Sequence, residues 1–310
     1  MFRQAQNNVR IEGILSEINL KYNSFVKDGS PVDSIGGSIK VLTEQEVNGH
    51  PFNVETTVYS FSTKYTKAGG INPSYESLEK VMKEFVSIAA VGDKAKADKV
   101  RITKGSIRMN EFLGQNGDIV SQPRIYASFI SKAIGEFTPR AEFDLEFMVS
   151  SIARVTDKDG IEVDPAKLAV QVIVPQYTAP NADTMKVDLI PLVATSPNVI
   201  NAIETYWEAG QCYKCHGRLN FSSRTEDVVE EVDFGEPRHF SRTINTHEFV
   251  ISSGTQAPLD GDLAFDINDI KAGMAARKQR LEDLKSGKTV GTSKATPAQT
   301  TSKGKLDLGF

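Results

Sequence analysis

The sequence predicts a mainly β protein built from two copies of one small β-barrel. The stretch Lys99–Phe112 alternates polar and apolar residues, as a strand does, and Gly105 interrupts it where a barrel strand would bend. The stretch Cys212–Phe221 repeats this pattern more than a hundred residues later, with Gly217 in the place of Gly105. Each stretch follows a helix-like segment. Two apolar positions match when the glycines are aligned, Ile107 with Leu219 and Met109 with Phe221.

Five strands and one helix are predicted in the first half. The helix opens at Asn72-Pro73-Ser74, carries apolar residues at helical spacing, and closes at Gly92. Asn48-Gly49 is a strong hairpin signal, whereas the polar stretch Tyr22–Gly37 predicts a loop. The predicted strands are 9–20, 38–47, 53–65, 99–112 and 119–134.

The second half predicts the same order of elements. Its helix is expected between Ser196 and Gly210, and the acidic stretch Thr225–Glu236, with six acids and no base, is expected to form a solvated loop. That loop could also occupy the groove of its own barrel. The predicted strands are 142–155, 168–174, 185–193, 212–221 and 247–251.

Length and charge fit two globular units and a tail. The chain has 310 residues and a net charge of −4, divided into +3 up to residue 140 and −7 after it. An acidic total argues against electrostatic coating of duplex DNA but leaves room for a local basic groove. The expected division is 1–138, 139–254, a charged amphipathic segment 255–285, and a low-complexity tail 286–310 that cannot bury a core.

The order strand–strand–strand–helix–strand–strand resembles single-stranded DNA-binding proteins of the oligonucleotide-binding (OB) class over residues 9–135. Both glycine-centred strands resemble the one that follows the helix in bacterial and phage members. The resemblance implies two tandem five-stranded OB-type Greek-key barrels, each with a helix between strands 3 and 4, followed by a disordered tail. It also makes a tailed phage the expected source.

The last residues are similar to the tail tip with which such proteins dock onto replication and repair proteins. One acid replaces the family's run of acids, and Gly309 stands where proline is usual. The residues that this resemblance implies for partner docking are Leu306, Asp307, Leu308 and Phe310.

Binding of a single strand requires cations along the phosphates and flat rings on which bases stack. Tyr59 and Phe61 are favoured stacking residues because Val54, Thr56 and Val58 already supply an opposite, interior face. Core burial of the rings and solvation of the cations are the alternatives for each residue. The complete candidate set is Tyr59, Phe61, Lys64, Tyr65, Lys67, Lys99, Arg101, Lys104, Arg108, Phe112 and Tyr126.

The sequence predicts no catalytic site and no cofactor. Cys212, Cys215 and His216 match the haem-attachment spacing, but an extended strand places the two thiols on opposite faces. Zinc binding by these three residues is a minor alternative, and packing of both thiols is the main one. Phosphate-cradling and metalloprotease motifs are absent from the sequence.

The expected function is sequence-nonspecific binding of single-stranded DNA during replication, recombination and repair, with recruitment of partners through the tail. No leader or spanning segment is evident, so the cytoplasm, or the host cytoplasm for a phage, is the expected location. The sequence does not determine the oligomeric state, and a homo-oligomer is one alternative. The rival functions are a protein-interaction module, and a metal-dependent nucleic-acid enzyme using the two cysteines and the acidic stretch.

Overall fold

The protein is mainly β, as its sequence predicts. The structure is a computed structural model, and none of the helices it describes is both long and apolar enough to cross a membrane. It describes residues 2–47, 50–179, 181–230, 234 and 238–287.

The described residues of the first half form six strands and two helices. A 3-10 turn at Lys94–Lys96 follows the second helix. The side chain of Asn72 accepts a hydrogen bond from the backbone N–H of Ser74 and caps the first helix, as the sequence predicts. The elements are β1 (Asn7–Lys27), β2 (Ser30–Val47), β3 (His50–Thr63), α1 (Pro73–Glu84), α2 (Ile88–Val91), β4 (Lys99–Leu113), β5 (Ile119–Tyr126) and β6 (Ser131–Lys132).

Five of these strands close into a ring. The antiparallel pairs β1–β2, β2–β3, β4–β5 and β1–β4 are completed by a parallel pair between β3 and β5. Alternation along each strand sends every second side chain into the ring. Fully or almost fully buried interior residues include Val9, Ile35, Val58, Val100 and Ile125.

The second half pairs its strands in the same cyclic order. Hydrogen-bonded pairs join β7–β8, β8–β9, β10–β11 and β7–β10, and a parallel pair joins β9 to β11. A 3-10 turn at Gly261–Leu263 precedes the last helix. The elements are β7 (Arg140–Arg154), β8 (Leu168–Pro175), β9 (Val187–Ala194), α3 (Pro197–Tyr206), β10 (Cys212–Glu230), β11 (Arg238–Gly254) and α4 (Ile267–Lys285).

The two halves are joined by antiparallel pairing of β1 with β7, in which Val9 lies opposite Phe143. Val9 and Phe143 each have a second strand neighbour, which is one of the two matching glycines of the sequence. Gly105 pairs with Val9, and Gly217 pairs with Phe143. A β-carbon on Gly217 would lie 2.3 Å from the Phe143 ring, and one on Gly105 would lie 3.0 Å from Val9 Cβ. The two glycines therefore permit close packing of the four paired residues Gly105, Val9, Phe143 and Gly217, where the two halves meet.

The last helix packs against both halves. Gly273 of α4 lies so close to the residues that lead into β9 that a β-carbon would come within 2.7 Å of the Met185 carbonyl oxygen. Arg277 and Arg280 of the same helix bind the carboxylate of Glu111, which is fully buried on β4 of the first half. The predicted amphipathic segment is thus a helix that ties the two sets of strands together.

Four expectations from the sequence require correction. The single helix predicted from Asn72 to Gly92 is interrupted after Glu84 and forms α1 and α2. The predicted loop Tyr22–Gly37 is a long hairpin, in which β1 continues to Lys27 and β2 begins at Ser30. The predicted strand 119–134 divides into β5 and β6. The acidic stretch is extended backbone up to Glu230 and not a loop from residue 225. Asn48, Gly49 and the tail 288–310 lie outside the described residues.

We expect Gly217→Ala to cost about 3 kcal/mol of unfolding free energy and Gly105→Ala about 1 kcal/mol, because overpacking increases with the severity of the overlap. Gly70→Ala is the matched control, since the nearest atom to its β-carbon would be 3.9 Å away. It should change stability by less than about 1 kcal/mol. Urea unfolding of the three variants measures the ranking. Equal losses at Gly217 and Gly70 would contradict the close packing across the junction.

Candidate nucleic-acid interface

The outward sides of β3, β4 and β5 form a surface that combines aromatic rings and arginines. Inward-pointing Val58 and Ser60 on β3 are buried, so Tyr59 and Phe61 point outward. Tyr59 lies beside Tyr126 of β5, with ring centroids 5.9 Å apart. The four residues Tyr59, Arg108, Arg124 and Tyr126 are called the arginine–tyrosine cluster below.

Both arginines of the cluster lie against its rings. The guanidinium carbon of Arg124 is 4.3 Å from the centroid of the Tyr59 ring, and that of Arg108 is 5.8 Å from the centroid of Tyr126. A guanidinium plane held over a ring is a flat surface on which a base can stack. The cluster therefore offers both stacking surfaces and cations within one patch.

The two arginines lie directly opposite each other on β4 and β5. Like charges in such a cross-strand pair destabilise a sheet. Within the part of the chain that the structure describes, neither guanidinium forms an ion pair with a carboxylate. The Nε atom of Arg124 is buried and has no hydrogen-bond partner there. An anion between the two guanidiniums would remove the repulsion and supply the missing acceptor.

The hydroxyl group of Tyr126 stays protonated at neutral pH. Burial raises the pKa of this phenol above its ordinary value, and the charge of Arg124 opposes that shift only in part. A protonated hydroxyl can donate a hydrogen bond to a phosphate or a base.

Aromatic rings continue from the cluster toward the hairpin of β1 and β2. Phe61 is 52% exposed, and its ring centroid lies 6.3 Å from that of Phe25 on β1. A β-carbon on Gly36 would approach the Phe61 ring to 3.1 Å, so the glycine leaves room for the ring. Tyr59, Phe61, Arg108 and Tyr126 are thus predicted site residues that the fold brings onto one surface.

Other predicted residues lie farther along the same strands or in turns. Lys64 lies 3.8 Å from a carboxylate oxygen of Asp33 and 5.6 Å from the centroid of Tyr65, which is 54% exposed. Lys99 lies with its ammonium 4.6 Å from the centroid of the Phe137 ring. The remaining three are exposed: Lys67 in the turn after β3, Lys104 beside Gly105, and Phe112 near the end of β4.

Arg101 is engaged within the protein. It donates a hydrogen bond at 2.6 Å to Glu12, whose side chain is fully buried and also accepts one from Arg140 at 3.0 Å. Burial alone raises the pKa of Glu12, but the hydrogen bonds from Arg101, Arg140 and the Thr138 backbone outweigh it and hold this pKa below its ordinary value. The three side chains form the Glu12 ion cluster, which joins β4, β1 and β7. A contact of Arg101 with nucleic acid stays a prediction.

The two cysteines do not converge on one site. Cys215 is buried inside the second ring, whereas Cys212 packs in a separate cluster, where its sulfur accepts a hydrogen bond from the Phe265 N–H. His216 contacts Asp144 at 3.2 Å. No group of three or more potential metal ligands occurs among the described residues. The geometry agrees with the interpretation that the thiols fill alternate packing positions.

Two residues of this surface, Arg124 and Phe25, are not among the candidates that the sequence predicts. Arg124 lies in a strand interrupted by Pro123, and its position two residues before Tyr126 was the available signal. Phe25 lies in the stretch expected to be a loop. The docking residues Leu306, Asp307, Leu308 and Phe310 lie outside the described residues.

Comparison with known proteins places the chain in a family. The YorF family model matches residues 5–287. The chain belongs to the YorF family. No curated protein matches it.

Solved structures similar to this YorF family member include two of the single-stranded DNA-binding protein from Thermus aquaticus. The wild-type structure has a TM-score of 0.47 at 11% identity, covering 84% of this chain and 96% of that chain. A deletion mutant of the same protein, with a further point substitution, has a TM-score of 0.46 at 11% identity, covering 83% and 97%.

We expect Glu12→Gln to lower the unfolding free energy by about 2 kcal/mol at pH 7, because two guanidiniums lose their shared buried counter-charge. The pKa of Glu12 is depressed on folding, so its contribution is present above the unfolded value of about 4.3 and is lost as the pH falls through the folded value. The deficit should therefore vanish in acid. Denaturant unfolding at pH 7 and at about pH 3 measures it.

The control for this substitution is Glu76→Gln, which removes an exposed carboxylate on α1. We expect it to change stability by less than about 0.5 kcal/mol at either pH. A loss for Glu12→Gln that is equally large in acid would contradict a stabilising role of the carboxylate charge.

Proposed function

We propose that this chain binds single-stranded DNA without strong sequence preference, on the outward surface of its first ring. The opposed pair of Arg108 and Arg124 beside two tyrosines carries the proposal. These two guanidiniums have no carboxylate partner among the described residues and lie in register, so they form a ready site for a phosphate group, and the neighbouring rings provide stacking for bases.

The surface favours a single strand over a duplex. Stacking on Tyr59, on Phe61 or on the Arg124 guanidinium requires an exposed base face, and bases within a duplex cover one another. Phosphate contacts alone would bind both forms, but the net charge of −4 weakens any extended electrostatic contact with duplex DNA. Discrimination is therefore expected to come from the rings and not from the cations.

We also propose that each ring is an OB-type barrel. The order β1–β2–β3–β5–β4, closed by pairing of β1 with β4, supports this in the first half, and β7–β8–β9–β11–β10 supports it in the second. In OB folds, the face of strands 2 and 3 and the two neighbouring loops bind oligonucleotides. Tyr59 and Phe61 lie on the third strand, and Phe25 lies on the hairpin between the first two.

The remaining parts of the proposal depend on the sequence alone. The tip Leu306–Phe310, at the end of a polar low-complexity segment, would recruit replication and recombination proteins. The chain would act without catalysis in the cytoplasm, where it would protect single strands. A tailed phage stays the proposed source.

Fluorescence anisotropy with labelled oligo(dT) and the matching duplex, at low and moderate salt, tests the proposed function. We expect tight binding to the single strand only. The affinity should fall as salt rises, because phosphate contacts release counterions. Absence of binding to either form at low salt would contradict the proposal and favour a protein-interaction module.

Single substitutions test the surface. Tyr59→Ala and Arg124→Gln should each weaken oligo(dT) binding about tenfold, and Arg124→Gln should lower the salt slope by about one. Arg108→Gln should weaken binding similarly while preserving or raising the melting temperature, because it removes a like-charge pair.

Lys158→Gln is the matched control, since it removes a cation from an exposed turn of the second half. It should leave the affinity within about twofold of the wild type. Equal losses for Lys158→Gln and Arg124→Gln would indicate a general charge effect and contradict a built site on the first ring.

A further inference from the structure

The register of the two rings allows their surfaces to be compared position by position. Gly105 pairs with Val9 as Gly217 pairs with Phe143. The β1–β2 pairing shifts register between residues 15 and 17, and the β7–β8 pairing shifts between 149 and 151, at the same distance from the junction. These shared positions align the second ring with the first around the two glycines and the β-bulges.

This register assigns a counterpart to each member of the arginine–tyrosine cluster. Ser106 pairs with Tyr126 in the first ring and Arg218 pairs with Val250 in the second, so Val250 corresponds to Tyr126. The parallel pairs then match Tyr59 with Val193. Two steps farther along the antiparallel pairs, Asn220 and Glu248 correspond to Arg108 and Arg124.

The second surface lacks the four groups of the arginine–tyrosine cluster, although it carries Arg218 opposite Val250. Aliphatic side chains replace both tyrosines, and Val250 is buried. An amide faces a carboxylate where the first ring has two guanidiniums. The change is therefore one of chemistry at matched positions and not one of fold.

Glu248 is held in place by partners of its own half. One carboxylate oxygen accepts a hydrogen bond from the Lys167 ammonium at 2.7 Å, and the other accepts one from the Asn220 amide at 2.8 Å. The carboxylate thus lies where the register places the cation of the first ring, and it neutralises the neighbouring lysine. A phosphate entering this position would meet a negative charge and a lysine that is already paired with it.

The contrast with the first ring argues for a role of the two arginines beyond the stability of the sheet. A sheet that needed only stability at this register would carry the self-satisfied arrangement of Asn220, Glu248 and Lys167 in both copies. The first ring instead has two like charges opposite each other, and the buried Nε of Arg124 has no hydrogen-bond partner among the described residues. The unfavourable arrangement is retained in only one copy.

We propose that Glu248 keeps the nucleic acid off the second ring, so that each chain binds one single-stranded segment, on its first ring. This inference rests on the proposed function. The second ring then has a structural role, and the position that corresponds to the binding surface is occupied by the ion pair of Glu248 and Lys167.

The inference is tested by substitutions in the whole chain that remove the binding groups of the first ring and introduce such groups in the second. A variant with Tyr59→Ala and Arg124→Gln removes the first surface and should weaken oligo(dT) binding at least fiftyfold. Adding Val193→Tyr and Glu248→Gln to it should recover about tenfold, because a ring returns and Lys167 is released. Adding only the isosteric change Glu248→Gln should recover about threefold in oligo(dT) affinity. This variant keeps the test valid if the tyrosine at position 193 disturbs packing in the other one.

The control adds Asp159→Asn to the variant with Tyr59→Ala and Arg124→Gln, which is the first-surface variant. Asp159→Asn also removes one negative charge, but from an exposed turn. It should recover less than about twofold. Titration of the wild type with short oligo(dT) should saturate at one oligonucleotide per chain. Failure of both Glu248→Gln variants to recover any affinity would overturn the role of Glu248.

Other outcomes separate this inference from the proposed function. If the wild type binds oligo(dT) and the first-surface variant keeps its affinity within threefold, the nucleic acid uses another surface, and the exclusion by Glu248 is wrong although binding survives. Two oligonucleotides per chain would also overturn the exclusion. If the wild type does not bind, the proposed function fails and the inference fails with it.

Discussion

The structure depends on the antiparallel pairing of β1 with β7. This pairing places Val9 against Phe143 and forces the strands on either side to approach closely, which requires a residue without a β-carbon at Gly105 and Gly217. It also brings Arg140 of the second half to Glu12 of the first. The register between the two halves, the Glu12 ion cluster and the relative placement of the two surfaces follow from this one contact.

The sequence predicted those features that depend on local pattern. The glycine echo, the capped helix at Asn72 and the outward direction of Tyr59 follow from turn chemistry, capping and strand alternation. The hairpin of β1 and β2 was missed because it extends away from the core, so most of its residues have no buried side and no alternation of polarity. A stretch of this kind is indistinguishable from a loop by composition.

The candidate site was predictable only in part, because its chemistry depends on pairs distant in sequence. The sequence predicts Arg101 as a phosphate ligand, and it does not reveal the internal partner Glu12, which lies opposite Arg101 on another strand. Arg124 becomes a candidate binding residue because it lies opposite Arg108, and only the strand register reveals this pairing. Charge partners across a sheet are set by topology, and alternation alone does not specify them.

The contact between α4 and β4 bears on how such a chain can be divided. Two similar rings suggest modules that could be excised and expressed separately. Yet Glu111 lies three residues from Arg108 on the same strand, and its buried charge is compensated by Arg277 and Arg280 near the end of the last helix. A fragment cut between the rings would leave that carboxylate without its counter-charges, so the repeat in architecture does not make either half a self-sufficient unit of expression.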